Sequence, residues 1–262
     1  PHTMSLAAQH LTVLTGASRG MGLAMARHLL TPDRILLCIS RRTTPELEEL
    51  ARLRGATLVQ WSMDLSQPSQ VAVRLDAWLD AQPTADIASA TLINNAGMIP
   101  RIGPIDQCPG NELEDALRVG LEAPMQLTAA FLRATGHWIT AGWRGPRKVL
   151  NISSGLGRHA MAAQAPYCAA KAGLDHFTRC SALDEAQREH GARLVSLAPG
   201  VIDTEMQEQL RGGDPAAFPD RERFVDLQRQ GQLTSPEEAA ARVLTWLQRP
   251  DFGDQPVADV RE

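Results

Sequence analysis

Of the 26 lysines and arginines only two are lysine, Lys148 and Lys171, and the chain has a single tyrosine, Tyr167. That tyrosine stands four residues before Lys171, and on a helix positions i and i+4 share a face. A phenol and an ammonium facing one pocket can carry acid–base chemistry at a substrate oxygen. Free tyrosine titrates near ~10, and making it exchange protons near neutrality means lowering that by about 3 units, or ~4 kcal/mol. One ammonium ~4 Å away at an effective dielectric of ~20 supplies about that much. Lys171 is therefore expected to draw Tyr167 down. A hydroxyl for the same oxygen is available upstream at Ser153 or Ser154. Strand alternation cannot choose between them, because their side chains point to opposite faces and both faces are covered.

A second set of residues lies near the start of the chain, in Thr15-Gly16-Ala17-Ser18-Arg19-Gly20-Met21-Gly22. Glycines permit a tight turn and close backbone approach, and the N-terminus of the helix that follows offers unpaired N–H groups to a pyrophosphate. The spacing is TGxxxGxG rather than GxGxxG. Further along stand Asn94-Asn95-Ala96-Gly97 and, thirteen residues before Tyr167, Ser154. Together these motifs resemble the short-chain dehydrogenase/reductase family, over residues 11 to about 246, with the strong motifs in the first 205.

The resemblance implies roles residue by residue. Ser154, selected over Ser153 by the thirteen-residue interval, would hold the substrate oxygen, Tyr167 would be the acid, and Lys171 would tune it and grip the nicotinamide ribose. Gly16, Ser18, Arg19, Gly20, Met21 and Gly22 would line the cofactor phosphates and ribose, Asp64 and Leu65 the adenine, and Asn95, Ala96 and Gly97 the adenosine ribose. Pro199, Gly200, Ile202 and Thr204 would cover the nicotinamide. After the second strand an NAD enzyme places a carboxylate for the ribose hydroxyls. Here Arg41 and Arg42 stand instead, and Arg41, aided by Arg19 or Arg42, can grip a 2′-phosphate, each charge-assisted bond contributing ~1.5 to 3 kcal/mol. NADP(H) is the expected cofactor.

Two departures stand out. The helix between the fourth and fifth strands carries Gly120 where many family members have a catalytic Asn, and glycine still permits the helix distortion such a site uses. The C-terminal residues lack the family's closing Gly-rich strand and are more similar to the sepiapterin reductase and benzil reductase branch. There an acidic residue can contact substrate, making Asp259 a candidate, against a disordered tail.

The elements that must position these residues follow from hydrophobic periodicity. Strands are expected at residues 11–15, 34–40, 57–64, 90–94, 148–154 and 193–199, and helices at 20–30, 45–54, 68–81, 112–135, 164–190 and 236–247. Continuous apolar strands joined by helices predict a single α/β domain, a doubly wound parallel sheet of the Rossmann type with helices on both faces and ligands beyond the carboxyl ends of the strands. Residues 203–235, rich in Gly, Pro and charge, read as a substrate lid. Pro1, His2 and Thr3 read as a vector remnant before a domain over 4–262.

Composition narrows the partners. A hydrophobic content of 44% and a net charge of -4 describe a globular chain with no polyanion-binding surface, and Arg144 and Arg147 read as a solvated face. No CxxC pair and no membrane-length apolar run occur, which fits a reducing cytoplasm. Met98, Ile99, Leu156 and Met161 are expected to flank a pocket for a hydrophobic ketone, dicarbonyl or pterin side chain. The two longest helices, 112–135 and 164–190, are expected to form a homodimer or homotetramer interface. Oxidation of a secondary alcohol with NAD(P), or an NADP-binding sensor without turnover, are the competing readings.

Overall fold

The computed structural model describes residues 8–262; the three residues read as a vector remnant lie outside them. Seven strands form one parallel sheet in the order β3-β2-β1-β4-β5-β6-β7. They are β1 (Gln9–Thr15), β2 (Arg34–Ser40), β3 (Thr57–Ser62), β4 (Ile87–Asn94), β5 (Arg147–Ile152), β6 (Arg193–Ala198) and β7 (Val257–Asp259). The order reverses between β1 and β4, and there the crossovers diverge to opposite faces and leave a crevice beyond the strand ends.

Successive strand residues feed opposite cores. Leu36 and Cys38 of β2 pack with α1 (Gly20–Leu29), α2 (Pro45–Arg54) and α9 (Pro236–Leu247) on one face. Leu37 and Ile39 pack with α3 (Pro68–Asp80) and α5 (Ala123–Thr140) on the other. Burial on both faces is what the unbroken apolar strands require.

Several expected elements change shape. The helix expected over 112–135 is α4 (Gly110–Leu117), a π-turn (Arg118–Glu122) and α5. Gly120 sits inside the π-turn and is buried, so the distortion expected of glycine is present, and Pro124 opens α5. The helix of residues 164–190 is α6 (Ala165–Ala186). The excursion over 203–235 contains α7 (Glu205–Arg211) and α8 (Arg221–Arg229). Its base is pinned where Asp203 N donates to Thr234 O at 2.9 Å and Thr234 N to Val201 O at 2.9 Å.

Two expectations are overturned. The C-terminal segment is ordered as β7, parallel to β6, with Ser196 N donating to Pro256 O and Val260 N to Ala198 O. Three residues are too short a run for apolar periodicity to register. Arg147 is no solvated cation: its side chain is 3% exposed, enters between α5 and α6, and meets Glu185 at 3.3 Å and the His190 carbonyl at 2.9 Å. Arg144 is exposed, as expected.

Candidate active site

The glycine turn is tied to the segment just past β4 by polar groups. Thr15 Oγ1 accepts from the backbone N–H of Asn95 and Ala96, both at 3.0 Å. Asn95 Nδ2 donates back to the carbonyls of Thr15 and Gly16, both at 3.2 Å. Gly16 has φ +71°, and a Cβ there would lie 2.9 Å from Ala96 Cα; one on Gly22 would collide with the Gly16 carbonyl. Only glycine fits either position. Ahead of α1, Arg19 is extended and supplies no side-chain cap, and no acidic residue occupies the helix's first turn. The first amides of α1 are therefore open to an anion.

Arg41 is exposed at the end of β2, and Ser40 Oγ accepts from Ala17 N at 2.8 Å, joining that strand end to the glycine turn. Asp64 accepts from Ser66 N at 2.9 Å in a local turn. Asn94 is turned away from the crevice, its Nδ2 donating to Asn151 Oδ1 at 2.8 Å, and so ties β4 to β5.

All these strand ends open into one cavity of about 730 Å³. Gly16, Ser18, Arg19, Gly20, Met21, Gly22, Arg41, Asp64, Leu65, Asn95, Ala96 and Gly97 line one end, and Ser154, Tyr167, Lys171, Pro199, Gly200, Ile202 and Thr204 the other. Every residue singled out for the site thus borders the same space except Arg42, which does not line it.

The structure separates the two serines. Ser153 Oγ donates to Asp175 at 2.7 Å, away from the reacting groups. Ser154 Oγ accepts from Leu156 N at 3.1 Å and is hydrogen-bonded to the Tyr167 hydroxyl. Tyr167 and Lys171 lie one turn apart on α6, and Lys171 Nζ sits 5.6 Å from the phenol ring centroid while donating to Ile152 O at 2.8 Å. Burial pushes the phenol up to about 12, only partly countered by the bond with Ser154. Burial likewise draws the ammonium down to about 8, against the pull of Asp175. For both groups loss of solvent is the largest cause: it outweighs the bond with Ser154 at Tyr167 and the attraction of Asp175 at Lys171.

A family model described as short chain dehydrogenase matches residues 10–214. The chain belongs to the short-chain dehydrogenase family. It is 32% identical to a benzil reductase ((S)-benzoin forming) of Bacillus cereus over 95% of this chain and 98% of that protein. Rattus norvegicus sepiapterin reductase is 32% identical, with 92% of each chain covered. A short-chain dehydrogenase/reductase from Burkholderia vietnamiensis superposes with a TM-score of 0.64 at 31% identity, over 98% of this chain and 99% of that one. The chain is accordingly an oxidoreductase of this family.

Beside Tyr167 the cavity carries a set of apolar side chains. Met98, Ile99, Leu156 and Met161 border it as expected, joined by Met206, Leu210, Phe224 and Leu227 of α7 and α8. Asp259 also borders it, but its carboxylate is engaged by Arg261 at 2.7 and 2.6 Å, and that bond holds it below the usual carboxylate range. Across the mouth, Arg19 of the glycine turn pairs with Glu205 at the start of α7. The sequence reading missed Asp175, 2% exposed and central to the hydrogen bonds behind Lys171. Its signal was available: Tyr167, Lys171 and Asp175 form one stripe at four-residue spacing.

Proposed function

We propose that this chain is an NADPH-dependent carbonyl reductase acting on an apolar ketone or dicarbonyl. The observation that carries the reading is the burial of Tyr167 and Lys171 beside Ser154 in the cavity that also opens onto the glycine turn. The names of two relatives, a benzil reductase and a sepiapterin reductase, support carbonyl reduction. The apolar walls suit a hydrophobic substrate.

The glycine turn fits a dinucleotide: its open helix amides and Cβ-free approach to Ala96 suit a pyrophosphate. Arg41, without any carboxylate at the end of β2, favours a 2′-phosphate. When bound, the nicotinamide supplies the hydride.

The side chains manage the proton. Ser154, hydrogen-bonded to the phenol in this structure, would turn its O–H to the carbonyl oxygen when substrate enters. A phenol held near 12 stays protonated at neutral pH, the state a general acid needs, and gives its proton to the same oxygen as charge develops there. The Lys171 ammonium then stabilises the phenolate left behind. Since that ammonium titrates near 8, reduction is expected to slow as pH rises through that value.

The test is fluorescence titration with NADPH and NADH, followed by NADPH consumption at 340 nm with aromatic diketones. Tyr167→Phe should lower turnover by ~10² to 10⁴-fold while leaving nucleotide affinity intact. Arg41→Ala should weaken NADPH by ~10 to 100-fold and leave NADH unchanged. Tight NADPH binding with no carbonyl reduced across a broad panel would overturn the reading.

A further inference from the structure

We propose that Asp175 is a positioning residue of the Tyr167–Lys171 site, its buried carboxylate clamping α6 to the ends of β5, β6 and β7 and fixing a negative charge one helical turn behind the lysine. The proposal rests on the reading of Ser154, Tyr167 and Lys171 as the reacting set.

Asp175 collects donors from three elements. Its Oδ1 accepts from Ser153 Oγ just past β5 at 2.7 Å and Ser196 Oγ of β6 at 2.6 Å, and its Oδ2 meets Arg158 Nε at 3.2 Å. Arg158 in turn donates to the Ala258 carbonyl of β7 at 2.9 Å. Every partner of the carboxylate is a donor, so an ionised acid satisfies the site, and a protonated acid or an amide would set N–H or O–H against the guanidinium. Gly157 shows how closely the segment after Ser154 is pressed onto α6 here: a Cβ on it would lie 3.0 Å from Asp175 Oδ2 and 3.0 Å from the Lys171 carbonyl.

The clamp explains two features of the site. Ser153 is occupied by Asp175, which turns its neighbour Ser154 toward Tyr167. In addition, a fully enclosed ammonium needs a nearby anion to remain charged, and Asp175 shares its helix face at i+4. Of the charged and titratable groups around it, Asp175 is the one whose attraction acts on this ammonium. Tyr167 is neutral, Arg158 is a cation, His159 lies in the segment after β5, Asp115 on α4 borders the cavity, and Asp259 is engaged by Arg261. A row of alternating charge results: Lys171, Asp175, Arg158, Asp259, Arg261.

The chain's two lysines make a direct test available. In protein labelled with ¹³C at the lysine ε-carbon, the Lys148→Arg variant identifies the Lys171 resonance, and its titration reports the ammonium without any turnover. In Asp175→Asn, which keeps an acceptor for both serines, the Lys171 midpoint should fall by about 1 pH unit. The basic limb of kcat/KM should move down with it, and kcat should fall at least tenfold. The double variant Ser153→Ala, Ser196→Ala keeps the charge and loses two bonds, so kcat should drop while the midpoint holds.

A folded Asp175→Asn protein with an unchanged Lys171 midpoint and kcat overturns the proposal. Should that variant fail to fold, Asp175→Glu decides: wild-type kcat in a carboxylate displaced by one methylene would remove the positioning role. A Lys171 midpoint that falls in Asp175→Asn while the wild-type protein reduces no carbonyl would instead leave Asp175 in place and defeat the functional reading.

Discussion

At the glycine-turn end of the cavity Gly16, Gly22, Asn95 and Ala96 bring backbone and a short polar group to the wall, tied by Thr15 behind them so that Gly16 and Gly22 have no room for a Cβ. At the lid end the walls are longer apolar side chains, Met206, Leu210, Phe224 and Leu227, carried on α7 and α8 and packed together in their own cluster with Tyr167. The first surface has one shape, because backbone positions are fixed by the sheet. The second is built from side chains on two helices outside the sheet, whose base is pinned by hydrogen bonds among Val201, Asp203 and Thr234. A dinucleotide and a variable carbonyl compound call for those two kinds of surface.

The widest separation between the ends should come from Gly22→Ala. Its new methyl would meet the Gly16 carbonyl and Asn95 Nδ2, forcing apart the turn and the end of β4. Thermal melts should register destabilisation on the order of 3 kcal/mol, and NADPH titration should show affinity lost together with it. Retention of both would mean the turn is as adaptable as the lid.

The same contrast governs what could be read from the sequence. The glycine turn and the NNAG segment were legible because their backbone conformations admit few residue types, so composition and geometry coincide. Tyr167 and Lys171 were legible through rarity and spacing. The parallel sheet and both helix layers followed from periodicity, since the sheet is buried on both faces. β7 was not legible: Val257, Ala258 and Asp259 carry no pattern, and pairing with β6 is decided by Ser196 and Ala198 far away in the chain. Nor was the burial of Arg147, which depends on Glu185 reaching it from α6. The depth at which Tyr167 and Lys171 are buried escaped for a related reason: spacing fixes which groups meet but not how much water remains around them.

At the lid end the expected effects are smaller and confined to substrate. Leu227→Ala removes half-buried apolar surface from the cavity wall without touching the sheet. KM for an aromatic ketone should rise about 5 to 10-fold, equivalent to ~1 to 1.5 kcal/mol of lost apolar contact. Nucleotide affinity measured on the same protein should not change. A parallel loss of NADPH affinity would show that the lid also shapes the cofactor end.

Arg19 and Glu205 join the two ends, and there the smallest effect is expected. Their side chains are 57% and 60% exposed, so water and salt screen the pair, and such bridges contribute ~0.2 to 1 kcal/mol. Arg19 and Arg41 line the same cavity, so under the proposed NADPH reading a 2′-phosphate would compete with Glu205 for the Arg19 guanidinium. Glu205→Gln should then tighten NADPH by up to ~5-fold at low salt, leave NADH unchanged, and lose the distinction at high salt. The opposite result, both nucleotides weakened equally, would make the bridge a latch holding α7 over the dinucleotide. In that case the lid would act on the cofactor as well as on the substrate, and the contrast between the two ends would be one of materials but not of function.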